Sequence, residues 1–448
     1  MFENILHQPV IERIRADILS DSLAPAILFS GPEYGGKGTA ALELARVLSC
    51  EAGNAGTWNC PCPSCVRHRN LVSPDLLLLG RRRFFEEAAA AAAAFLRNSG
   101  GGEGGRAVRM LFIRSLRKLL ARFDPVLWEE DPRLGKIRPC INALEEDLED
   151  FESLTGNGAG RNGGELETIC GGLLKKAARL EAEGLGELVP IARIRRAAYW
   201  SRLAPLGKHK CFIIENAEHM QEGAKNALLK ILEEPPPRLT ILLTSSRPMS
   251  LLPTMLSRLR DYRFVKRKNP AEEEVILRIF RDRGNLEEGK FHTIESYLAS
   301  FLPMGGGILY PLASWFAASA AAEAARELRR RGRDIPPVLT DLGAFTARIA
   351  GQGGMGRPAA DAGRVVEKII RDTGGFETPG LFSQFLKNTG LLLSAWLRSG
   401  PGSPAKSAWA ELWRRELGRA VTETASFNIA PPLALERLLE ALKRGMCA

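Results

Sequence analysis

Two stretches of the chain carry short, unbroken apolar runs. "AILFS" (Ala26 to Ser30) and "DLLLL" (Asp75 to Leu79) lie early, and "CFIIE" (Cys211 to Glu215) and "TILLT" (Thr240 to Thr244) lie near the middle. Runs of this length bounded by turn residues fit strands of a parallel sheet covered on both faces. The first is followed by a Gly-rich turn and a predicted helix from about Gly36 to Ser49. "EHMQEGAKNALLKILEE" (Glu218 to Glu234) has helical periodicity and stops at Pro235-Pro236-Pro237, where the missing amide ends a helix.

The character changes between Gly80 and about Leu188. The alanine run Ala88 to Ala94 reads as helix, and "NSGGGEGG" (Asn98 to Gly105) and "GNGAGRNGG" (Gly156 to Gly164) read as flexible linkers. "VRMLFIRSLRKLLARF" (Val108 to Phe123) is a basic amphipathic helix, suited to a nucleic acid or membrane surface. A solvated face over a packed stripe is the plainer account of it. From about Arg263 onward the pattern is helical, with amphipathic pieces such as "RVVEKIIRDTGG" (Arg364 to Gly375) and "ALERLLEALKRG" (Ala434 to Gly445) and no fixed-period repeat. The fold expected is an α/β module, a parallel sheet flanked by helices, followed by a small helical domain and an all-α C-terminal domain. Their boundaries are expected at 1–262, 263–335 and 336–448, with an insertion at about 81–187.

Composition narrows the class only slightly. A chain of 448 residues with 45% hydrophobic and 25% charged residues is an ordinary globular protein of two or three domains. No apolar run reaches the ~18–20 residues of a membrane span, and "MFENILHQPVIERIRAD" lacks the order of a signal peptide. A soluble cytoplasmic protein is expected. The net charge of +10 is compatible with a nucleic-acid partner without requiring one.

Candidate chemistry starts at "SGPEYGGKGT" (Ser30 to Thr39). Gly31, Gly36 and Lys37 fit the phosphate-loop pattern G-x-x-x-x-G-K-[ST], in which backbone N–H groups at a helix N-terminus cradle phosphates and lysine neutralises them. The next position should supply a hydroxyl to magnesium, but it is Gly38. Thr39 follows one step late, about 100° further round the helix. The second acidic element is also altered. A hydrolysing enzyme of this class ends a buried strand with a metal-binding acid, often beside a carboxylate that orients water. Here the strand end is Glu215-Asn216, and a neutral Asn216 cannot act as a base near pH 7. Polar punctuation of a strand end accounts for the pair equally well. Of eight cysteines, Cys50, Cys60, Cys62 and Cys65 fall within sixteen residues. In a cytoplasmic chain such clustering favours a closed, structural Zn2+ site over disulfides. The Cys60-Pro61-Cys62 spacing is tight for one.

"NALLKILEEPPP" (Asn226 to Pro237), followed by "LLTSSRPMSLLPTMLSRLR" (Leu242 to Arg260), resembles the bacterial clamp-loader AAA+ ATPases, in particular the delta-prime branch of DNA polymerase III. The resemblance runs over about 1–80 and 188–265 and more weakly over the rest, including "FNIAPPLALERLLEAL" (Phe427 to Leu442). It implies an AAA+ module, a helical lid and a helical collar. It implies that Lys37 is the phosphate-loop lysine, Glu215 the metal-binding acid, and Asn216 a replacement for the catalytic glutamate. Thr244 and Ser245 lie at the sensor-1 position. Ser257-Arg258 matches the family's Ser-Arg-Cys motif with Leu259 in place of cysteine, and the resemblance implies that this arginine serves a neighbouring subunit's nucleotide. A surface ion pair is the plain alternative for Arg258. "MGGGILY" (Met304 to Tyr310) offers no cation where the lid should begin. The implied partners are gamma/tau ATPase subunits, a delta subunit, the sliding clamp and, through the assembled complex, primed DNA. The expected role is a largely non-hydrolysing scaffold lending Arg258, with idle binding of ATP and Mg2+ left open. The alternatives are an active gamma/tau-like ATPase, and a basic DNA-binding module led by the helix at 108–123.

Overall fold

A computed structural model describes residues 1–52, 56–81, 83–98, 102–156, 163–186, 188–284, 293–301, 305–352, 355–359, 361–376, 381–399, 404–426 and 429–447. Of the linker readings at 98–105 and 156–164, residues 99–101 and 157–162 lie outside these residues. So do Met304, the first residue of "MGGGILY", and Phe427-Asn428 of the last motif. The rest of the linker reading is corrected: Gly102 to Gly105 open the helix Gly102–Leu120, Gly156 ends Leu134–Gly156, and Gly163 and Gly164 open Gly163–Gly184. Packing of the apolar stripes extends the helices into the glycines. The chain divides into two compact units, Met1–Leu298 and Ala299–Ala448.

The first unit is built on a five-stranded sheet in the order β2-β3-β4-β1-β5, with β1 Ala26–Ser30, β2 Leu76–Gly80, β3 Lys210–Glu215, β4 Leu239–Ser245 and β5 Arg260–Arg263. Every pairing is parallel. All residues of β1 to β4 are buried, as continuous apolar runs require. The sequence pattern does not announce β5. As an edge strand it buries only Tyr262, so three of its four residues are polar and exposed.

Helices α1 Val10–Leu19, α2 Lys37–Leu48 and α3 Pro63–Arg69 precede or follow β1. Between β2 and β3 the chain forms α4 Phe84–Arg97, α5 Gly102–Leu120, α6 Pro125–Trp128, α7 Leu134–Gly156, α8 Gly163–Gly184 and α9 Ile191–Arg202. The alanine run lies in α4, which packs on α5 and α8. Ala88 to Ala92 and Ala94 are buried there, because small side chains let neighbouring helices approach closely. Helices α10 Glu222–Glu233, α11 Pro253–Leu256 and α12 Asn269–Val275 complete the labelled elements.

The described residues of the second unit form helices only. Gly305–Arg330 packs on Pro337–Gln352, Leu381–Arg398 and Pro431–Cys447. Phe316 meets Phe385 and Trp413 edge-on, with ring centroids 5.5 and 6.2 Å away. Among the described residues no helix is long and apolar enough to cross a membrane.

Candidate nucleotide-site remnant and cysteine cluster

The carboxyl ends of β1, β3 and β4 meet at one edge of the sheet, where open α/β sheets hold ligands. Gly31 leaves β1 at φ +131°, and a Cβ there would lie 2.3 Å from the Phe264 carbonyl oxygen, so only glycine fits. Its N–H donates to the Ser245 carbonyl at 3.2 Å. Gly36 caps α2 at φ +91°, leaving the first-turn amides of that helix at the end of the loop. Lys37 is buried, and its ammonium donates to the carbonyl oxygens of Gly31 and Pro32 at 2.7 and 2.5 Å. Thr39 is exposed to solvent.

At the end of β3, the Glu215 carboxylate is buried and holds the Arg122 guanidinium in an ion pair. Asn216 has left-handed backbone (φ 52°). Its N–H donates to Thr244 Oγ1 at 3.0 Å, and its side-chain amide donates to the Arg81 carbonyl at 2.8 Å. Ser245 Oγ accepts from the Arg247 N–H at 3.0 Å. The loop, Glu215, Asn216, Thr244 and Ser245 therefore form one cluster. As it stands, the acid is already paired with a cation, so these residues do not fit a magnesium ion at Glu215.

Arg258 lies outside that cluster. It follows α11, is exposed, and pairs with Glu233 of α10 at 2.7 Å while donating to the Thr254 carbonyl at 2.6 Å.

The basic helix at 108–123 departs from the expected solvated face, since no residue from 108 to 124 is exposed. Lys118 pairs with Glu87, Arg117 with Glu152, and Arg122 with Glu215. Arg114 donates to the Arg69 carbonyl and lies over the Trp58 ring. Its cations face inward because acids and carbonyls of the same unit meet them there, and buried charges need such partners.

The Cys50, Cys60, Cys62 and Cys65 sulfurs all lie within 4.8 Å of one another. Cys50 and Cys60 are 3.8 Å apart, the edge expected of four sulfurs at ~2.3 Å around a tetrahedral ion. The cluster can hold a metal ion. Burial pushes the Cys62 thiol up, but N–H donors from Cys65 and Glu51 outweigh it and bring it down to about 6. Arg46 of α2 is 1% exposed and ties this module to the loop helix. It donates to Cys65 Sγ at 3.2 Å, to the Thr57 carbonyl at 3.0 Å and to both Glu43 oxygens at 2.9 and 2.6 Å.

Two arginines of this region are not legible in the sequence. Arg122 belongs to a helix whose basic face reads as solvated. Arg267 donates to the Tyr34 and Leu6 carbonyls at 2.7 and 3.0 Å and thereby braces the loop from beyond β5. Neither carries a motif. An excess of arginine in an otherwise apolar helical stripe was the only signal for Arg122.

A family model described as DNA polymerase III, delta subunit, matches residues 6–117 and 140–268, more than half of the chain. The match covers much of 81–187 and leaves 118–139 outside it. The DNA polymerase III subunit delta' of Pseudomonas aeruginosa is 40% identical over 80 residues, 18% of this chain and 24% of that protein. The DNA polymerase III subunit gamma/tau of Mycobacterium tuberculosis is 32% identical over 85 residues, 19% of this chain and 14% of that protein. The chain thus matches about a quarter or less of these relatives' length. A gamma subunit-related protein of Thermotoga maritima aligns over 58% of this chain and 81% of that one, at 19% identity and a TM-score of 0.32, which is too weak to bear on the argument. On the family match, the chain belongs to the DNA polymerase III, delta subunit family of clamp-loader proteins.

Proposed function

We propose that this chain is a delta-prime-like clamp-loader subunit, a scaffold that turns over little or no ATP and presents Arg258 to the nucleotide of a neighbour. Residues 1–262 form its AAA+ module, 263–335 the lid and 336–448 the collar through which it joins a ring-like hetero-oligomer. Its partners are gamma/tau ATPase subunits and a delta subunit, and the assembled ring loads a sliding clamp onto primed DNA. The four cysteines hold structural Zn2+, since a closed thiolate set leaves no open position for catalysis. Any nucleotide on the loop amides and Lys37 is held without turnover.

The observation that carries this reading is the contrast between two charged residues. Glu215, which hydrolysis needs for a metal, is buried against an arginine, next to a neutral Asn216. Arg258 is on the surface, held by a partly exposed pair with Glu233 and by a bond to the Thr254 carbonyl of its own turn. Such pairs contribute about 0–1 kcal/mol, so docking of a neighbour releases the guanidinium at little cost. Placed in trans, it stabilises charge on the transferred phosphoryl only when subunits are assembled.

The test uses the reconstituted loader with clamp and primed DNA. Lys37→Ala is expected to leave its ATPase within about twofold of wild type. Arg258→Ala removes roughly a thousandfold of turnover at the one adjacent site and lowers the total by that site's share. The reverse pattern, or brisk Mg2+-dependent ATP turnover by the isolated chain, sinks the reading.

A further inference from the structure

We propose that Arg122 is the resident counter-ion of Glu215 and takes the place of a divalent cation there, so that the phosphate-loop site of this chain is metal-independent. This rests on reading Gly31 to Lys37 and Glu215 as one site.

The pair is built into the fold. Arg122 is 2% exposed and Glu215 is 6% exposed. One guanidinium nitrogen donates to Glu215 Oε2, Nε donates to the Gly80 carbonyl at 3.2 Å, and the group lies over the Phe84 ring with 5.3 Å to its centroid. Its backbone is fixed as well. The Arg122 carbonyl accepts from Trp128 Nε1 at 2.7 Å, and the buried Trp128 ring packs on Phe123 with centroids 5.2 Å apart. The side chain is therefore anchored from its main chain to its tip and cannot swing into solvent without dismantling the α5–α6 corner. A divalent cation on the same carboxylate would sit within a few ångströms of a fixed positive charge in a water-poor site, where like-charge repulsion is strong. The pairing satisfies the acid's charge without an ion, which is the condition a buried carboxylate must meet. Arg122 lies in the helical segment between β2 and β3, within 118–139, which the family match does not cover. What is left for a ligand is anionic chemistry alone: a phosphate group on the loop amides and Lys37, with no metal bridging it to β3.

The experiment is an electron paramagnetic resonance titration of Mn2+ into the full-length, zinc-loaded chain, with and without ADP. Calorimetry of ADP in Mg2+ and in EDTA is run alongside. Wild type is expected to show no Mn2+ binding that Glu215→Gln abolishes, and ADP binding, where measurable, that changes less than twofold between Mg2+ and EDTA. Arg122→Met, checked for folding by circular dichroism and zinc content, is expected to bind Mn2+ at least tenfold more tightly than wild type and to lose that gain in Arg122→Met/Glu215→Gln. Mn2+ binding by wild type that disappears in Glu215→Gln overturns the proposal, as does a folded Arg122→Met chain with no gain. If Arg122→Met does not fold, the wild-type and Glu215→Gln titrations decide by themselves. The outcome is independent of Arg258, so loss of the trans role in the loader assay leaves this inference standing, and the converse also holds.

Discussion

At the N-terminus of α4 the amides of Phe84 and Phe85 donate to the Glu181 carboxylate of α8, at 3.3 and 2.9 Å. Arg83, the residue at the cap position, has no acceptor to cap the helix amides, so a distant acid supplies the cap that the local sequence lacks. Burial raises the Glu181 pKa from an ordinary 4.5 to about 7, against the two amides and Arg81, which lower it, while Glu86 adds to the rise. Between those values the folded chain binds the proton and the unfolded chain does not. The contribution to stability is therefore complete below pH 4.5 and is lost as pH rises through 7, by about 3 kcal/mol at most. Glu181→Gln is neutral throughout. Urea unfolding from pH 5 to 8 should show this downward slope in wild type and a flatter curve in the variant. Equal slopes would remove Glu181 from the account.

The cysteine module is an element that a bound ion would hold together. Its helix α3 has seven residues, too few to be stable alone, and Cys62 caps it through a bond from the Cys65 N–H at 3.4 Å. Beside it, Arg46 of α2 donates to Cys65 Sγ, so a site left without an ion would loosen the helix that carries Lys37. Cys60→Ser is expected to reduce retained zinc from near one per chain to near zero and to lower the unfolding temperature by several degrees. Cys170→Ser, buried in α8 away from the cluster, should retain the ion. Elemental analysis with thermal unfolding separates the two, and full zinc in Cys60→Ser would dismiss the four-cysteine site.

Over the whole chain, a net charge of +10 invites a nucleic-acid reading, yet the most conspicuous basic helix turns its cations inward. Lys118 and Arg122 are buried, and Arg117 is committed to Glu152. Tight DNA binding needs several cations free to displace counter-ions from phosphates. The isolated chain should therefore bind primed DNA no better than the ~10⁻⁴–10⁻⁶ M of non-specific contact at physiological salt. Fluorescence anisotropy across a salt series measures this. A submicromolar, steeply salt-dependent affinity would restore the DNA-binding module as the leading alternative.

What the sequence determined by itself was local. Four strands were visible because a strand buried on both faces is an unbroken apolar run, and α10 because proline cannot continue a helix. The Gly-rich turn between β1 and α2 was visible because its glycines have a fixed spacing, and the cysteine cluster because its sulfurs lie close along the chain. Tertiary structure decided the rest. Strand β5 was hidden because an edge strand need not be apolar. Glu215 meets Arg122, 93 residues earlier in the chain, and α4 is capped by Glu181 from α8. Such pairings leave no periodic trace, because two charges become partners only when folding removes water from both. Whether an arginine is a solvated surface group or a buried counter-ion is a property of its surroundings, and those exist only in the folded chain.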